Sequence, residues 1–312
     1  MDVLSDVLDT VGLRGTLYFR TCSTPPWGVR VPQLKQAARF HLVARGRCLV
    51  RFDSGEQVQL EPGDMILIPR GAPHVLTDQA DSPVLTLQDV LEQTGYDGNG
   101  VLVYGGPGDP QAKTELICGH LSFGEGADHP LLRALPPYLR ISADLRLRHP
   151  WLDETMRLMA RVMFSEVPGA QASVIRLSEV LFVESIRACA QDDPGLGQVL
   201  DAMLDPRIGK ALTLIHRHPE RDWTVASLGS AVALSRSRFA AQFQERMDCS
   251  PMAYLTDWRL QKARAQLLQS RASVQQVAAQ VGYKSAAAFT RAFSQHFGRS
   301  PMAVRKEAEE AA

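Results

Sequence analysis

The chain has 312 residues, of which 45% are apolar and 22% charged, and this composition indicates a globular protein with two or three domains rather than a disordered or fibrous one. It has no run of about 18 apolar residues and carries acidic residues near its N-terminus, so we expect a cytoplasmic protein without a membrane span or signal peptide. The net charge is zero, but residues 206–312 hold 16 Lys and Arg against 8 Asp and Glu, whereas residues 1–205 carry a net charge of −8.

The five cysteines lack the spacing of a disulfide framework or a zinc ribbon. Their number is odd, and no two of them form a CxxC pair. They are Cys22, Cys48, Cys118, Cys189 and Cys249. We interpret Cys48, Cys189 and Cys249 as packing residues, and any thiol or metal site would have to be assembled by the fold.

Short apolar runs separated by turns fill the chain from Thr16 to about Phe123. Proline and glycine are frequent there, which excludes long helices, and alternation such as Val50-Arg51-Phe52 favours half-buried strands. The pattern predicts a small β-barrel.

Two motifs in this region resemble those of the cupin barrels. The run from Glu61 to His74 is similar to the second cupin motif, and Phe40-His41-Leu42 is similar to a reduced first motif. The resemblance implies a cupin-like domain over residues 1–149. The His-x-His and Glu of metal-binding cupins are absent, so cupin enzyme chemistry is not transferable, and we predict that the protein is not an enzyme.

Four side chains are candidates for a metal or redox site inside the predicted barrel: Cys22, His41, His74 and Cys118. The two histidines occupy positions at which cupin side chains point into the cavity. Two thiolates and two imidazoles make a tetrahedral zinc set, and a thiolate beside an imidazolium or a metal is readily oxidised. Zinc is therefore a candidate cofactor, and an oxidant or a metal is a candidate signal.

Two alternatives stay open for these four residues. Cysteine is commonly a small buried apolar residue, and a lone histidine is more often a hydrogen-bonded structural residue than a ligand. The barrel cavity could also hold a small organic effector, in which case an oxidant would have no effect.

The pattern becomes helical over residues 150–205. We expect helices from Trp151 to Glu166 and from Ala170 to Gln191. The second has apolar residues at helical spacing: Val174, Leu177, Leu181 and Ile186. This face either closes the core of its own domain or pairs with a second protomer, and we predict a homodimer through it.

The basic C-terminal third contains a repeat at an offset of 49 to 50 residues. Each copy begins with a Ser or Thr suited to capping a helix, continues through a short helix to a bend, and starts a second helix at Ser235 or Ser285. The repeat predicts helix-turn-helix units at residues 224–247 and 273–297, within a DNA-binding domain of residues 206–306. An acidic tail of residues 307–312 follows. The positive charge of this third points to nucleic acid as the partner.

The second helix of each unit has an aromatic face and an opposite face of small residues, Arg and Gln. At 100 degrees per residue, the aromatic positions form one stripe, which predicts that they are buried. These positions are Phe239, Phe243 and Met247 in the first unit and Phe289, Phe293 and Phe297 in the second.

The opposite faces and the residues at their margins are the candidate DNA-binding residues: Ser235, Arg236, Ser237, Arg238, Ala240, Ala241, Gln244, Lys284, Ser285, Ala287, Ala288, Arg291 and Gln295. Arg can bind guanine edges bidentately, Gln pairs with adenine, and Ala lets the backbone approach the bases. Between the units, Pro251 to Gln269 predicts a helix of roughly 28 Å, close to the roughly 34 Å between major-groove faces on one side of DNA.

The segments 223–243, 250–260 and 281–301 resemble the AraC/XylS family of bacterial transcription regulators over about a hundred residues. The resemblance implies that bases are read from the positions of Ser237, Ala240 and Ala241 in the first unit and of Ala287, Ala288 and Arg291 in the second. The first unit lacks the usual large polar readers, so we expect Arg236 and Arg238 to bind the DNA backbone there. Residues 1–195 further resemble the cupin-type sensor domain of one subgroup of this family.

The fold class predicted is therefore α+β, with an N-terminal cupin-like β-barrel, a helical dimerisation segment and an all-α tandem helix-turn-helix domain. The predicted function is a sequence-specific transcription regulator that binds promoter DNA, with RNA polymerase as a further partner if it activates transcription. The rival classes are a cupin enzyme and a DNA-architectural protein. The first lacks the metal ligands, and the second would not need a large acidic domain.

Overall fold

A computed structural model describes residues 2–163, 165 and 167–310 of the chain. These residues form two compact units that alternate along the sequence. The β-rich unit contains residues 14–123 and 135–193, and the helical unit contains residues 2–13, 124–134 and 194–310.

The strands of the β-rich unit form two sheets. In chain order they are β1 (Arg14–Thr24), β2 (Gly28–Val31), β3 (Ala37–Arg45), β4 (Cys48–Phe52), β5 (Gln57–Leu60), β6 (Met65–Ile68), β7 (His74–Thr77), β8 (Leu85–Thr86), β9 (Val101–Gly105), β10 (Thr114–Ser122) and β11 (Leu139–Ile141). The first sheet has the order β11-β6-β3-β10-β1-β9, and the second has the order β5-β4-β7-β2-β8.

The register of the long central strands brings distant residues side by side. In the first sheet β10 pairs antiparallel with both β1 and β3, so that Cys118 lies opposite Phe19 on one side and His41 on the other. In the second sheet β2 pairs antiparallel with β7, which places Val31 opposite His74.

Apolar residues of both sheets pack into one core. It includes Trp27 and Leu76 on the side of the second sheet, and Val43, Ile66 and Leu116 on the side of the first sheet. The predicted β-rich fold of this part of the chain is therefore confirmed, with one difference. Over the described residues its strands form two separate sheets instead of one closed barrel, because the outer strands of each sheet pair on one side only.

The helices are, in chain order, α1 (Val3–Val11), α2 (Leu87–Thr94), α3 (Pro130–Ala134), α4 (Ala143–Arg148), α5 (Pro150–Met163), α6 (Ala170–Cys189), α7 (Pro194–Leu204), α8 (Ile208–Arg217), α9 (Val225–Ala231), α10 (Arg236–Met247), α11 (Pro251–Gln269), α12 (Val274–Gln280), α13 (Ala286–Phe297) and α14 (Pro301–Glu310). None of them, within the described ranges, is both long and apolar enough to cross a lipid bilayer.

The apolar face of α6 is buried within the β-rich unit. This helix packs against α5, β1 and β11, and Leu181 is only 2% exposed. Phe182 makes an edge-to-face contact with Phe123, with ring centroids 5.7 Å apart. Of the two roles that the sequence left open for this face, the structure shows that Val174, Leu181 and Ile186 close the core of their own unit, whereas Leu177 is half-buried.

The helical unit includes two segments that the sequence assigned to the cupin-like domain. The structure places 2–13 and 124–134 there, together with α7 of the predicted 150–205 linker. The physical reason is that α1 buries Val3, Val7 and Val11, and it does so against helices of this unit.

The boundaries of the C-terminal helices agree with the sequence pattern. The predicted central helix is α11, Pro251–Gln269, and both second helices begin after the serines expected to cap them. The predicted helix ending at Glu166 is described to Met163, and Glu166 itself lies outside the described residues. In the predicted acidic tail, α14 extends to Glu310, and residues 311–312 lie outside the described residues.

Candidate functional site

The first helix-turn-helix unit consists of α9 and α10. Thr224 caps α9 through a capping box with Ser227, and Ser235 caps α10 by accepting a hydrogen bond from the Arg238 N–H at 3.4 Å. Ala233 forms the turn between the helices with a left-handed φ of 56°. Phe239 and Phe243 are fully buried, which fixes the outward direction of the opposite face of α10.

The second unit, α12 and α13, repeats this construction. Ser273 and Gln276 form the capping box of α12, and Ser285 caps α13. The turn residue is Gly282, with φ of 88°, and Phe289 and Phe293 are fully buried. The same local signals therefore orient both second helices.

The predicted DNA-binding residues lie on the outward faces of α10 and α13 and just before them. All are exposed except Ala240, which is half-buried: Ser235, Arg236, Ser237, Arg238, Ala241 and Gln244 in the first unit, and Lys284, Ser285, Ala287, Ala288, Arg291 and Gln295 in the second. The hydroxyls of Ser235 and Ser285 are occupied as helix caps. A capped helix N-terminus directs backbone N–H groups outward, and such groups can bind phosphate.

Lys284 already has a partner on the surface. Its Nζ lies 2.9 Å from a carboxylate oxygen of Asp222, and both side chains are largely exposed. An exposed ion pair of this kind contributes little to stability, so a DNA phosphate could replace the carboxylate at small cost.

The basic residues of α11, by contrast, are engaged inside the helical unit. Arg259 donates to the carbonyl oxygens of Pro219 and Arg221 at 2.6 and 2.7 Å, and Lys262 donates to Asp6 at 2.9 Å. These side chains hold the unit together rather than extend the exposed basic surface.

A buried hydrogen-bond chain joins α1, α3, α8 and α11. The Leu131 N–H donates to His129 Nδ1, so the ring proton of His129 is on Nε2 and donates to the Tyr254 hydroxyl at 2.9 Å. Tyr254 in turn donates to His216 Nε2 at 2.7 Å, and His216 Nδ1 lies 3.0 Å from Asp6 Oδ2. No sequence pattern predicts this chain, because its residues are far apart along the sequence and have no ligand spacing.

A cavity of about 230 Å³ lies between the two sheets of the β-rich unit. Most of its lining is apolar, and it includes the basic side chains Arg39, His41 and His120 together with Cys118. The apolar part of the lining is made by Phe19, Trp27, Val29, Val31, Leu34, Leu76, Leu87, Val90, Leu102, Tyr104 and Leu116.

The structure brings together three of the four residues predicted to form a metal or redox site. Cys118 Sγ lies 3.0 Å from His41 Nδ1, and His41 Nε2 lies 2.9 Å from His74 Nε2. His74 Nδ1 donates to the Ala72 carbonyl oxygen at 2.8 Å. This last bond fixes the direction of the chain, in which Cys118 donates to His41 and His41 donates to His74.

Cys22 is not part of this cluster. Phe19, Thr21 and Ser23 of β1 line the cavity, so alternation along the strand turns Cys22 to the opposite face. Its neighbours across β9 and β10 are Val103, which is 62% exposed, and Glu115. The expectation that all four residues converge is thus corrected by the register of β1.

The three clustered residues are uncharged near neutral pH. Burial lowers the pKa of His41 well below its ordinary value and that of His74 to about 4. Burial also raises the pKa of the Cys118 thiol above its ordinary range. A protonated thiol is a poor nucleophile and a poor metal ligand.

The observed arrangement does not match a single tetrahedral metal site. Cys118 and His74 contact opposite nitrogens of the His41 ring, so one ion could not bind all three side chains as they stand. Within the described part of the chain, no group of three or more His, Cys, Asp and Glu residues is arranged to hold a metal ion.

Comparison with known proteins gives a match to each of two parts of the chain. Residues 2–191 match the family model described as Cupin, and residues 228–307 match the model described as Helix-turn-helix domain. The chain is 30% identical to the HTH-type transcriptional regulator AlkR of Acinetobacter baylyi, over 98% of this chain and 100% of that protein. It is 32% identical to an AraC-like transcription regulator of Streptomyces lividans, over 98% of each.

The chain is also similar to a solved structure, the DNA-binding domain of the global transcriptional factor AdpA in complex with a target DNA. The two share 26% identity with a TM-score of 0.33, and the match covers 34% of this chain and 96% of that one. The relatives similar over the full length are named as transcriptional regulators. The chain therefore belongs to the AraC-like family of HTH-type transcriptional regulators with an N-terminal cupin domain, and it is a DNA-binding transcription regulator.

Proposed function

We propose that this regulator binds promoter DNA with the outward faces of α10 and α13, and that a small, largely apolar molecule in the cavity of the β-rich unit is its signal. The proposal of a small-molecule signal rests on the cavity itself. Protein interiors are close-packed, so an apolar cavity of this size inside a folded unit is unusual and points to a binding role. A well-formed apolar pocket with a few polar groups is the usual form of a ligand site.

The proposal that α10 and α13 bind DNA rests on the exposure and the charge of their arginine side chains. Arg236, Arg238 and Arg291 are exposed on the two second helices, and none of them forms an ion pair within the described residues. The helix between the units, α11, has 19 residues and a length of roughly 28 Å, which is compatible with two adjacent major grooves.

Oxidant sensing and zinc binding through His41, His74 and Cys118 form the second candidate signal. Their hydrogen-bonded contact favours the oxidant over zinc, because one ion could not bind all three side chains as they stand. The raised pKa of the Cys118 thiol speaks against an activated thiolate. Promoter binding by Cys118→Ser and parent protein, each before and after mild oxidation, separates the two candidates. Metal analysis of the purified protein tests zinc.

The sharpest test of the cavity is to fill it. Val29 lines the cavity, so Val29→Phe should abolish the response of promoter binding to the active compound in a library of small organic molecules, while DNA binding without the compound is retained. Val103→Phe is the matched control, because Val103 is 62% exposed on the outer face of the same unit. A Val29→Phe protein that still responds like the parent would rule out the cavity as the sensor.

Strand β10 of the β-rich unit is followed directly in the chain by a segment of the helical unit. Strand β10 contributes Leu116, Cys118 and His120 to the cavity lining, and nine residues after His120 the chain reaches His129, which donates to Tyr254. We therefore propose that movement of β10 on ligand binding changes the position of the 124–134 segment. His129→Ala should weaken the response to the compound more than it weakens DNA binding.

The homodimer is proposed through α5 instead of α6. Trp151 and Leu158 lie two turns apart on one face of α5 and are 75% and 41% exposed. A second copy is the proposed occupant because paired half-sites raise the effective concentration of the DNA-binding units. Trp151→Glu should then sediment as a folded monomer, whereas Leu204→Glu, at an 82% exposed position of the helical unit, should not change the assembly.

We further propose that RNA polymerase is a partner at the target promoter if the protein activates transcription. Transcription in vitro with purified polymerase tests this: addition of the active compound should raise transcript levels with the parent protein. Unchanged or lower transcript levels, with promoter occupancy verified by footprinting, would indicate a repressor.

A further inference from the structure

Arg39 is a cation in the cavity without a matching anion. It lies on β3, opposite His120 of β10 and Ile68 of β6, and its side chain lines the cavity. One of its terminal nitrogens donates to the Pro32 carbonyl oxygen at 3.1 Å. Its Nε is buried and has no hydrogen-bond partner among the residues that the structure describes.

The surroundings of Arg39 offer no acidic side chain. The cavity lining contains Arg39, His41 and His120 but no Asp or Glu, and no ion pair of the described residues includes Arg39. Burial lowers the pKa values of His41, His74 and His120, and the positive charge of Arg39 adds to this shift. This end of the cavity is therefore positively charged, and its histidines are neutral.

A guanidinium does not lose its proton in proteins, so burial cannot neutralise Arg39. Removing a charge from water without pairing it is costly, and the partial burial of Arg39 already lowers its pKa from the ordinary value. An anion that entered the cavity would supply both the missing charge and an acceptor for the free Nε–H.

We propose that the molecule bound in this cavity is a small organic monoanion, a monocarboxylate with an apolar body, whose carboxylate binds Arg39. This inference rests on the proposed function of the cavity and names the class of its ligand. The planar guanidinium matches a carboxylate through two parallel hydrogen bonds. The rest of the lining, including Trp27, Val29, Leu76 and Leu102, is apolar and fits a hydrocarbon or aromatic body.

The size and charge of the site limit the ligand further. A volume of about 230 Å³ is below the roughly 300–1,000 Å³ of pockets for drug-sized molecules, which favours a compact acid. One guanidinium among apolar side chains balances one negative charge, so a dicarboxylate or a phosphate dianion would leave a charge unpaired in an apolar site. The Thr21 and Ser23 hydroxyls add two polar groups to the lining.

Acids and their neutral amides of the same shape provide the test. Binding of benzoate, benzamide, hexanoate and hexanamide to the full chain is measured by calorimetry near neutral pH. Charge-assisted hydrogen bonds to Arg39 should make each acid bind about ten- to a hundredfold more tightly than its amide. The acids should also raise the melting temperature more than the amides do.

Three variants locate the effect. Arg39→Met should abolish the preference for acids while the amides still bind, and its melting temperature without ligand should be at least that of the parent, because an unpaired charge is removed. Arg39→Lys keeps the charge but not the planar fork, and should keep only part of the preference. Arg30→Met is the matched control, because Arg30 lies on the outer face of β2 and is paired with Asp53 at 3.0 Å. It should retain the full preference.

The outcomes distinguish this inference from the cavity proposal. Equal binding of acids and amides by the parent, or an unchanged preference in Arg39→Met, would overturn the carboxylate assignment and leave the cavity as a site for neutral molecules, with Arg39 holding the Pro32 carbonyl. If none of the four probes binds, and a broader set of apolar compounds fails as well, the cavity is not a ligand site and both proposals fail.

Discussion

Lys262 Nζ donates a hydrogen bond to Asp6 Oδ1 at 2.9 Å, although the two residues are 256 positions apart. The contact joins α1 to α11, the helix between the two helix-turn-helix units. On its other carboxylate oxygen, Asp6 faces His216 of α8. The first helix of the chain is therefore an integral part of the helical unit. We expect an isolated fragment of residues 206–306 to be less stable than this unit in the full chain.

The Tyr254 hydroxyl is predicted to stabilise this unit. Tyr254→Phe would leave the donor of His129 and the acceptor of His216 buried without partners, at a cost of about 1–3 kcal/mol. Urea unfolding of the full chain measures the loss. Tyr283→Phe is the control, because the Tyr283 hydroxyl forms no hydrogen bond among the described residues, and it should cost less than about 0.5 kcal/mol. Equal losses in the two variants would mean that the buried chain contributes nothing measurable.

Exchange of Ala and Gly at the turn residue should raise the stability of the protein in one helix-turn-helix unit and lower it in the other. Ala233 and Gly282 are equivalent in the repeat and both have a left-handed φ. Ala233→Gly relieves strain of about 1–2 kcal/mol and adds chain entropy in the unfolded state, for a net gain of about 0.5–1 kcal/mol.

Gly282→Ala should lower stability by more than that amount. A Cβ at this position would lie 2.9 Å from the Glu220 Cα and the Pro219 carbonyl oxygen, in addition to the unfavourable φ. Thermal unfolding of both variants measures the changes. A shift of both melting temperatures in the same direction would contradict this account of the turns.

The sequence predicted the features that depend on neighbouring residues. Capping serines, the aromatic stripes of α10 and α13 and the ends of α11 follow from patterns within one or two helical turns. The repeat strengthened these predictions, because each pattern occurs twice. The same reasoning identified the exposed faces on which the candidate DNA-binding residues lie.

Features that depend on register or on distant contacts could not be predicted. A shift of one residue along β1 would have turned Cys22 into the cavity, and no local pattern fixes that register. The contact of Asp6 with Lys262 and that of His129 with Tyr254 join segments separated by more than a hundred residues. Arg39 was not identified for a similar reason, since its lack of an acidic partner becomes evident only when the strands are assembled.

We predict that the β-rich unit loses stability as the pH falls, already at pH values above those at which carboxylates titrate. Burial lowers the pKa of His74 to about 4, whereas an unfolded histidine titrates near 6.5. Below pH 6.5 the unfolded state therefore binds more protons than the folded state, and stability falls as the pH falls from 6.5 towards 4. His41 adds to the loss, because its pKa is also lowered by burial.

For His74 alone the loss between pH 7.5 and pH 5 should be roughly 2 kcal/mol. Urea unfolding at both pH values measures it, and His74→Gln should show a smaller difference between the two. A His74→Gln protein with an unchanged pH dependence would exclude His74 as the source.

Arg291 is predicted to read a base, whereas Arg236 is predicted to bind the DNA backbone. Both are exposed, Arg291 on the outward face of α13 and Arg236 in the first turn of α10, where the helix N-terminus also favours phosphate. Loss of one bidentate base contact costs about 1–3 kcal/mol and relaxes the preference at one position. Loss of one phosphate contact weakens binding to all sequences and lowers the slope of log affinity against log salt by about 0.9.

Binding of Arg291→Ala and Arg236→Ala to a panel of promoter fragments with single base-pair changes, at two salt concentrations, distinguishes these roles. Arg217→Ala removes the same charge from α8, outside both helix-turn-helix units, and should leave base preference and salt dependence close to those of the parent. If Arg291→Ala weakens binding to every fragment equally and lowers the salt slope, then Arg291 binds phosphate, and the second unit must read bases through its other exposed candidates, Ala287, Ala288 and Gln295.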